Sequence, residues 1–163
     1  MIRVLDGGSR NPWMQVYPTI LSRPNDLLLN WRLLALAVHF TMIVTVTQER
    51  PTLLIESSLP VGYSQEDYNA VRSSSDLALA ASYISLFVCT YGVFSARTLH
   101  LELNNLMHSV CHSCAGILLL TVWYYTSHVA RIWHVWYFFG AFPSLIEVLL
   151  LVLSRRQGLW KWN

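Results

Sequence analysis

At 163 residues the chain has the length of one domain. Hydrophobic residues make up 54% and charged residues 12%, a charged share about half that of an average soluble domain. A net charge of +2 with no basic stripe excludes a nucleic-acid-binding protein. Cys89, Cys111 and Cys114 all sit in apolar stretches, which excludes a disulfide framework and leaves them as small packing residues.

No apolar core of a cleavable signal peptide occurs in the first segment. Ile2 rules out N-myristoylation, and the Leu-Trp-Lys-Trp-Asn end is not a prenylation box. Membrane attachment therefore falls to the helices. Residues 1–26, with Gly7, Gly8, Pro12, Pro18 and Pro24, read as an irregular cytoplasmic tail. Trp13, Met14, Val16, Tyr17 and Ile20 make that tail suited to lying on the membrane or docking on a partner.

Four apolar stretches follow, each near the 20 residues or so that span a hydrocarbon core. They are placed at about 27–48, 76–98, 104–128 and 131–155, within a transmembrane domain of 27–155 and before a short cytoplasmic tail, 156–163. The first is the weakest, since it carries Arg32, His39 and several threonines; the fourth is the most hydrophobic apart from Glu147. The second and fourth lack the charged face that a soluble amphipathic helix shows, and the stretches lack the alternation of barrel strands. The expected fold is an all-α, integral membrane four-helix bundle.

The outer loop, 49–75, is punctuated by Pro51 and Pro60. Ser64-Gln-Glu-Asp67 has the form of a helix N-cap with an acidic third residue and predicts a short helix there; Ser73 to Asp76 predicts the cap of the second span. Glu66 and Asp67 read as a solvated helix start. The loop from Leu59 to Tyr68 is expected to lie against the bundle rim, with Tyr63 and Tyr68 toward protein or headgroups. No N-glycosylation sequon occurs. With both termini cytoplasmic, the inner segments hold Arg3, Arg10, Arg23, Arg32, Arg97, Arg155, Arg156 and Lys161, against Arg50, Arg72 and Arg131 outside; this bias sets the predicted orientation. Trp31, the Trp123–Tyr137 aromatics, and Trp160 and Trp162 fit interface belts. Small residues four apart, Ala78 with Ser82 and Ala81 with Ser85, permit close helix approach.

Ionisable groups at membrane depth need partners. His39, His112 and Glu147 each lie roughly 9–10 Å inside the cytoplasmic boundary, counting about 1.5 Å per residue from three helix ends. They are expected to meet in a structural polar cluster, Glu147 accepting from His39 or His112 directly or through Ser113 or Ser144, with Pro143 kinking the fourth span to aim it. His108 shares a helix face with His112, as paired ligands do in some metal sites, so a small transporter or a haem- or metal-carrying subunit of a membrane complex is the alternative reading. A bis-histidine haem site on His39 and His112 and a proton or ion path through Glu147 stay open as alternatives. No nucleophile–base–acid set, phosphate loop or HExxH motif is present. No catalytic residue, cofactor or metal ligand is predicted.

The residues Arg32-Leu-Leu-Ala-Leu-Ala-Val-His39, Leu59-Pro-Val-Gly-Tyr-Ser-Gln-Glu-Asp-Tyr68, His112, Trp136-Tyr-Phe-Phe139, Pro143 and Glu147 together resemble the transmembrane protein 107 family over about 31–151. The loop motif residues in that resemblance are Leu59, Pro60, Tyr63, Glu66, Asp67 and Tyr68. The segment up to Asn30 and the Trp-rich tail depart from the family's compact form. The resemblance implies a non-enzymatic, multi-pass protein of the ciliary transition zone. Its implied partners are membrane lipids and other transition-zone membrane and B9-domain proteins of the Meckel-syndrome-type module, with no nucleic acid and no small-molecule substrate. It also implies a part in cilium assembly and in limiting passage of membrane proteins into the cilium.

Overall fold

The computed structural model describes residues 24–49, 51–99, 101–125 and 127–156; the N-terminal residues up to 23, and Trp160, Lys161 and Trp162, lie outside them. Pro24 opens α1 (Pro24–Glu49), its missing N–H falling where a helix has no acceptor for one. Pro51 opens the short α2 (Pro51–Glu56) in the same way. Then come α3 (Gln65–Phe94), α4 (Glu102–Tyr125), α5 (Ala130–Val135), a π-helical turn (Trp136–Ala141) and α6 (Phe142–Arg156). The described residues contain helices and connecting turns but no strand. Among the described residues four stretches are long and apolar enough to cross a bilayer: Asp26–Gln48, Gln65–Phe94, Glu102–Tyr125 and Ala130–Arg155. The molecule is an all-α membrane bundle, and four crossings return the chain to the side from which α1 starts.

The second spanning helix starts well before the position expected from hydropathy. Ser64 caps α3 through a complete capping box: its hydroxyl accepts from the Asp67 N–H at 3.1 Å, and the Asp67 carboxylate accepts from the Ser64 N–H at 3.0 Å. The cap begins a 30-residue helix rather than a short one. Ser73 to Asp76 do not cap anything. No proline interrupts α3, so these polar residues ride on a helix that continues through them. Ser74 accepts the indole N–H of Trp133 at 3.0 Å, and Arg72 lies 4.0 Å from Asp76 one turn on.

The outer connection meets the bundle mainly ahead of the Leu59–Tyr68 motif. Leu59 and Tyr68 are half-buried, while Pro60, Tyr63, Glu66 and Asp67 are exposed, and Tyr63 stacks on Tyr68 with ring centroids 6.3 Å apart. Docking falls to the preceding residues. Leu54 and Ile55 are buried. The Ser57 hydroxyl reaches the Ser127 carbonyl at 3.3 Å, and Ser58 accepts from the Val129 N–H at 2.8 Å. Apolar burial is deepest ahead of the motif, whose own burial is limited to the half-buried Leu59 and Tyr68.

The bundle consists of two pairs of helices running the same way. In α1 the buried positions are Arg32, Ala35, Leu36, His39, Ile43 and Val46, one face at helical spacing, and that face packs most extensively on α4. A Cβ at Gly116 would sit 3.0 Å from Val38 Cγ1 and 3.9 Å from the His39 backbone nitrogen. A side chain there would press Val38 back by a few tenths of an ångström, so glycine favours the close approach of the two helices. On α3 the buried seam is Ser75, Ala78, Ser82, Ser85, Cys89 and Gly92, with Leu79 and Leu86. Its small residues admit the π-helical turn and α6, and Trp136 donates its indole N–H to Ser85 at 3.1 Å. Large apolar side chains such as Ile84, Phe87, Phe94, Ile117 and Leu145 point outward, as they must where lipid is the solvent. A groove of about 720 Å³ lies between α1 and α3, lined by Leu33, Leu36, Phe40, Tyr83 and Phe87 among others.

The Pro143 effect is a bulge. Pro143 cannot donate to a carbonyl one turn back. The helix ahead of it widens over Trp136–Ala141, where the Phe142 N–H reaches the Tyr137 carbonyl five residues earlier.

Because lipid removes the hydrophobic drive between spans, close packing at Gly116 should matter. Gly116→Leu is expected to lower the stability of the detergent-solubilised bundle by about 1–3 kcal/mol through overpacking, and Gly116→Ala by less. Unfolding midpoints that do not move for either variant would show that the α1–α4 approach is not limiting.

Candidate functional site

The polar residues of the spans converge at the end of the bundle where α1 begins, α3 turns into α4 and α6 passes. Arg32 is 1% exposed and Glu147 0%, so neither charge is open to bulk solvent. Arg32 answers both its surroundings: Nη2 donates to Glu147 Oε2 at 3.0 Å and Nη1 to Asn105 Oδ1 at 2.9 Å. Glu147 is held by three further groups. Thr98 donates its hydroxyl to Oε1 at 2.5 Å, Asn104 donates Nδ2 to Oε2 at 3.1 Å, and His108 Nε2 lies 3.0 Å from Oε2. That last approach is not an aligned hydrogen bond, and His108 Nε2 is without one, as is Asn104 Oδ1.

Room for this carboxylate comes from α3. A Cβ at Gly92 would overlap the Glu147 carboxylate, so the helix carries a notch where α6 delivers its charge. The turn after α3 delivers Thr98. Ala96 there has φ of 56°, a left-handed conformation costing an alanine roughly 1–2 kcal/mol, and Asn105 pins the same turn by donating to the Leu99 carbonyl at 2.7 Å.

The histidines continue the network away from Glu147. His108 Nδ1 lies 3.4 Å from His112 Nε2, and His112 Nδ1 lies 2.9 Å from His39 Nδ1. All three rings are buried. The His39–His112 contact needs a hydrogen on one nitrogen only, so two neutral imidazoles satisfy it, whereas the His108–His112 approach at 3.4 Å is long for a hydrogen bond. Two nitrogens flanking one haem iron stand about two metal–nitrogen bonds apart, about 4 Å; at 2.9 Å His39 and His112 touch each other instead.

The structure thus brings His39, His112 and Glu147 into one buried network, but Glu147 does not accept from His39, His112, Ser113 or Ser144. Its donors are Arg32, Thr98 and Asn104, with His108 beside it. Ser113 instead accepts from Trp31 Nε1 at 3.1 Å, and Ser144 donates to the Ala141 carbonyl. Sequence reasoning placed Arg32 among the boundary charges and passed over Gly92, Thr98, Asn104 and Asn105. The available signal was charge: Arg32 is the only arginine or lysine in the first span and Glu147 the only acidic residue in the fourth. The loop residues Leu59, Pro60, Tyr63, Glu66, Asp67 and Tyr68 lie at the other end of the bundle and are not part of this network.

A family model described as TMEM107, transmembrane protein, matches residues 28–151. The chain belongs to the TMEM107 family. The matched TMEM107 region begins in α1 and ends in α6, so it takes in Arg32, Gly92, Thr98, Asn104, Asn105, the three buried histidines and Glu147. No curated protein and no solved structure matches the chain.

For this TMEM107 member, removing one partner of a buried, hydrogen-bonded ion pair should cost about 3–5 kcal/mol, because the other charge is stranded. Glu147→Leu alone is expected to show that loss. The double variant Arg32→Met/Glu147→Leu, which strands no charge, is expected to recover most of it. Gly92→Val should behave like Glu147→Leu, since it ejects the same carboxylate. A thermodynamic cycle from reversible unfolding in mixed micelles measures the coupling, and a double variant no more stable than Glu147→Leu would count against the ion pair.

Proposed function

We propose that this chain is a non-enzymatic scaffold in the membrane of the ciliary transition zone. In this reading it recruits and organises other transition-zone membrane proteins and B9-domain proteins of the Meckel-syndrome-type module, and so helps gate ciliary membrane composition during cilium assembly. The observation that carries the reading is membership of the TMEM107 family over 28–151. The termini are read as cytoplasmic from the excess of arginine and lysine on that side.

The polar network is consistent with such a role. Its charges are directed at one another: Glu147 is held by Arg32, Thr98 and Asn104 rather than presented to a passing ion. What the bundle offers outward is apolar helix surface and a groove between α1 and α3, which suits contact with lipids and partner spans. On this view the network sets the shape of those faces and is not itself a reaction centre.

A tagged copy expressed in ciliated cells is expected to concentrate at the cilium base, and Glu147→Leu is expected to reach the membrane yet concentrate there several-fold less. Wild-type protein spread evenly over the plasma membrane, with no enrichment beside a transition-zone marker, would sink the assignment.

A further inference from the structure

Cys89 on α3 and His108 and His112 on α4 are all buried, and one ligand atom from each lies within 4.8 Å of the others. One distance inside this group matches that of ligands around an ion. His108 Nδ1 and His112 Nε2 are 3.4 Å apart, long for a hydrogen bond. Two nitrogens each about 2.0–2.1 Å from one metal, at the angles of a tetrahedral or trigonal site, stand about 3.3–3.6 Å apart. The remaining ring nitrogens already point at supporting groups. His108 Nε2 lies 3.0 Å from Glu147 Oε2 without an aligned hydrogen bond, and His112 Nδ1 lies 2.9 Å from His39 Nδ1. A ligating histidine ordinarily has such a second partner, often a carboxylate, to fix its tautomer and orientation.

We propose that Cys89, His108 and His112 form a buried three-coordinate site for a soft metal ion, Cu(I), supported by Glu147 and His39. A thiolate with two imidazoles is a donor set that soft ions prefer. Charge selects the monovalent ion. Arg32 and Glu147 cancel, so a Cys89 thiolate with Cu(I) leaves the cluster neutral, whereas a divalent ion would leave one positive charge uncompensated in a low-dielectric interior. The thiol proton leaves to solvent as the ion enters. Cys111 and Cys114 are half-buried and do not join the group of converging ligand atoms. The inference does not depend on the scaffold reading, since a structural ion between α3 and α4 is compatible with any partner.

The test uses the full chain, purified in detergent under reducing conditions with an affinity tag free of histidine and cysteine. It is titrated with Cu(I) against a chromogenic Cu(I) chelator, with metal content measured by mass spectrometry. Stoichiometric copper held against the chelator is expected. Cys89→Ser should weaken it at least as much as loss of a supporting residue, on the order of 10–100-fold, and Cys111→Ser and Cys114→Ser should leave it unchanged. X-ray absorption of the copper-loaded wild type should show sulfur together with imidazole nitrogen; this reading needs no variant to fold. Copper bound through nitrogen and oxygen alone, or retained equally by Cys89→Ser, overturns the site. Zinc held in preference to copper overturns the assignment to a monovalent ion. A chain that holds neither ion overturns the proposal altogether.

Discussion

A guanidinium and a carboxylate without water must face each other, and the rest of this bundle is arranged around that requirement. Arg32 sits on the first span and Glu147 on the fourth, 115 residues apart in the chain. An isolated charge at that depth is expensive enough that such residues are rare in spans. The pair therefore fixes which helices meet and in which rotation. The surroundings follow from saturating it. A carboxylate has room for several donors and a guanidinium presents five, so Thr98, Asn104 and Asn105 are drawn to one end of the bundle, and α3 must present a glycine where the carboxylate passes.

Burial of such a pair is weak evidence for stability, since desolvation offsets most of the Coulombic gain. We infer that it contributes specificity of arrangement instead, and the double variant measures that distinction. The remaining cohesion comes from backbone proximity. The serine, alanine, cysteine and glycine seam of α3 lets α6 and its π-helical turn come close, and Ser85 in that seam and Ser74 beside it accept indole N–H groups from Trp136 and Trp133. Each contact joins a packing surface to a hydrogen bond that lipid cannot supply.

The spans were legible because hydropathy over some twenty residues is a property of composition, and composition needs no tertiary information. The convergence at His39, His112 and Glu147 was approachable because helix rise converts residue counts into depth. Rotation about each helix axis was not, and rotation decides partners. A difference of one residue is about 100° of azimuth, given 3.6 residues per turn, which is why Glu147 meets His108 and Arg32 rather than the histidine one turn further on. Gly92 could not be singled out as a notch without knowing what lay opposite. The start of α3 was misplaced for another reason: Ser64 and Ser73–Asp76 both carry capping residues, and only the absence of a helix-breaker between them tells which cap is used.

Separation along the chain gives the pair a consequence for assembly. Spans form as helices before they associate, and α1 is complete long before Glu147 has been made. Until α6 arrives, Arg32 has no carboxylate. Its place near the start of α1 allows the long side chain to reach the headgroup region, where an arginine is tolerated. Closing the bundle then withdraws that guanidinium from the interface and exchanges water and phosphate for Glu147 and Asn105. The first and last spans are thus joined by a contact that only the finished chain can make, so partial bundles lack the pairing that fixes the arrangement. The Thr98 turn completes the enclosure from α3 and α4, with its hydroxyl on the second carboxylate oxygen. All four spanning segments therefore meet the same few atoms, directly or through one neighbour.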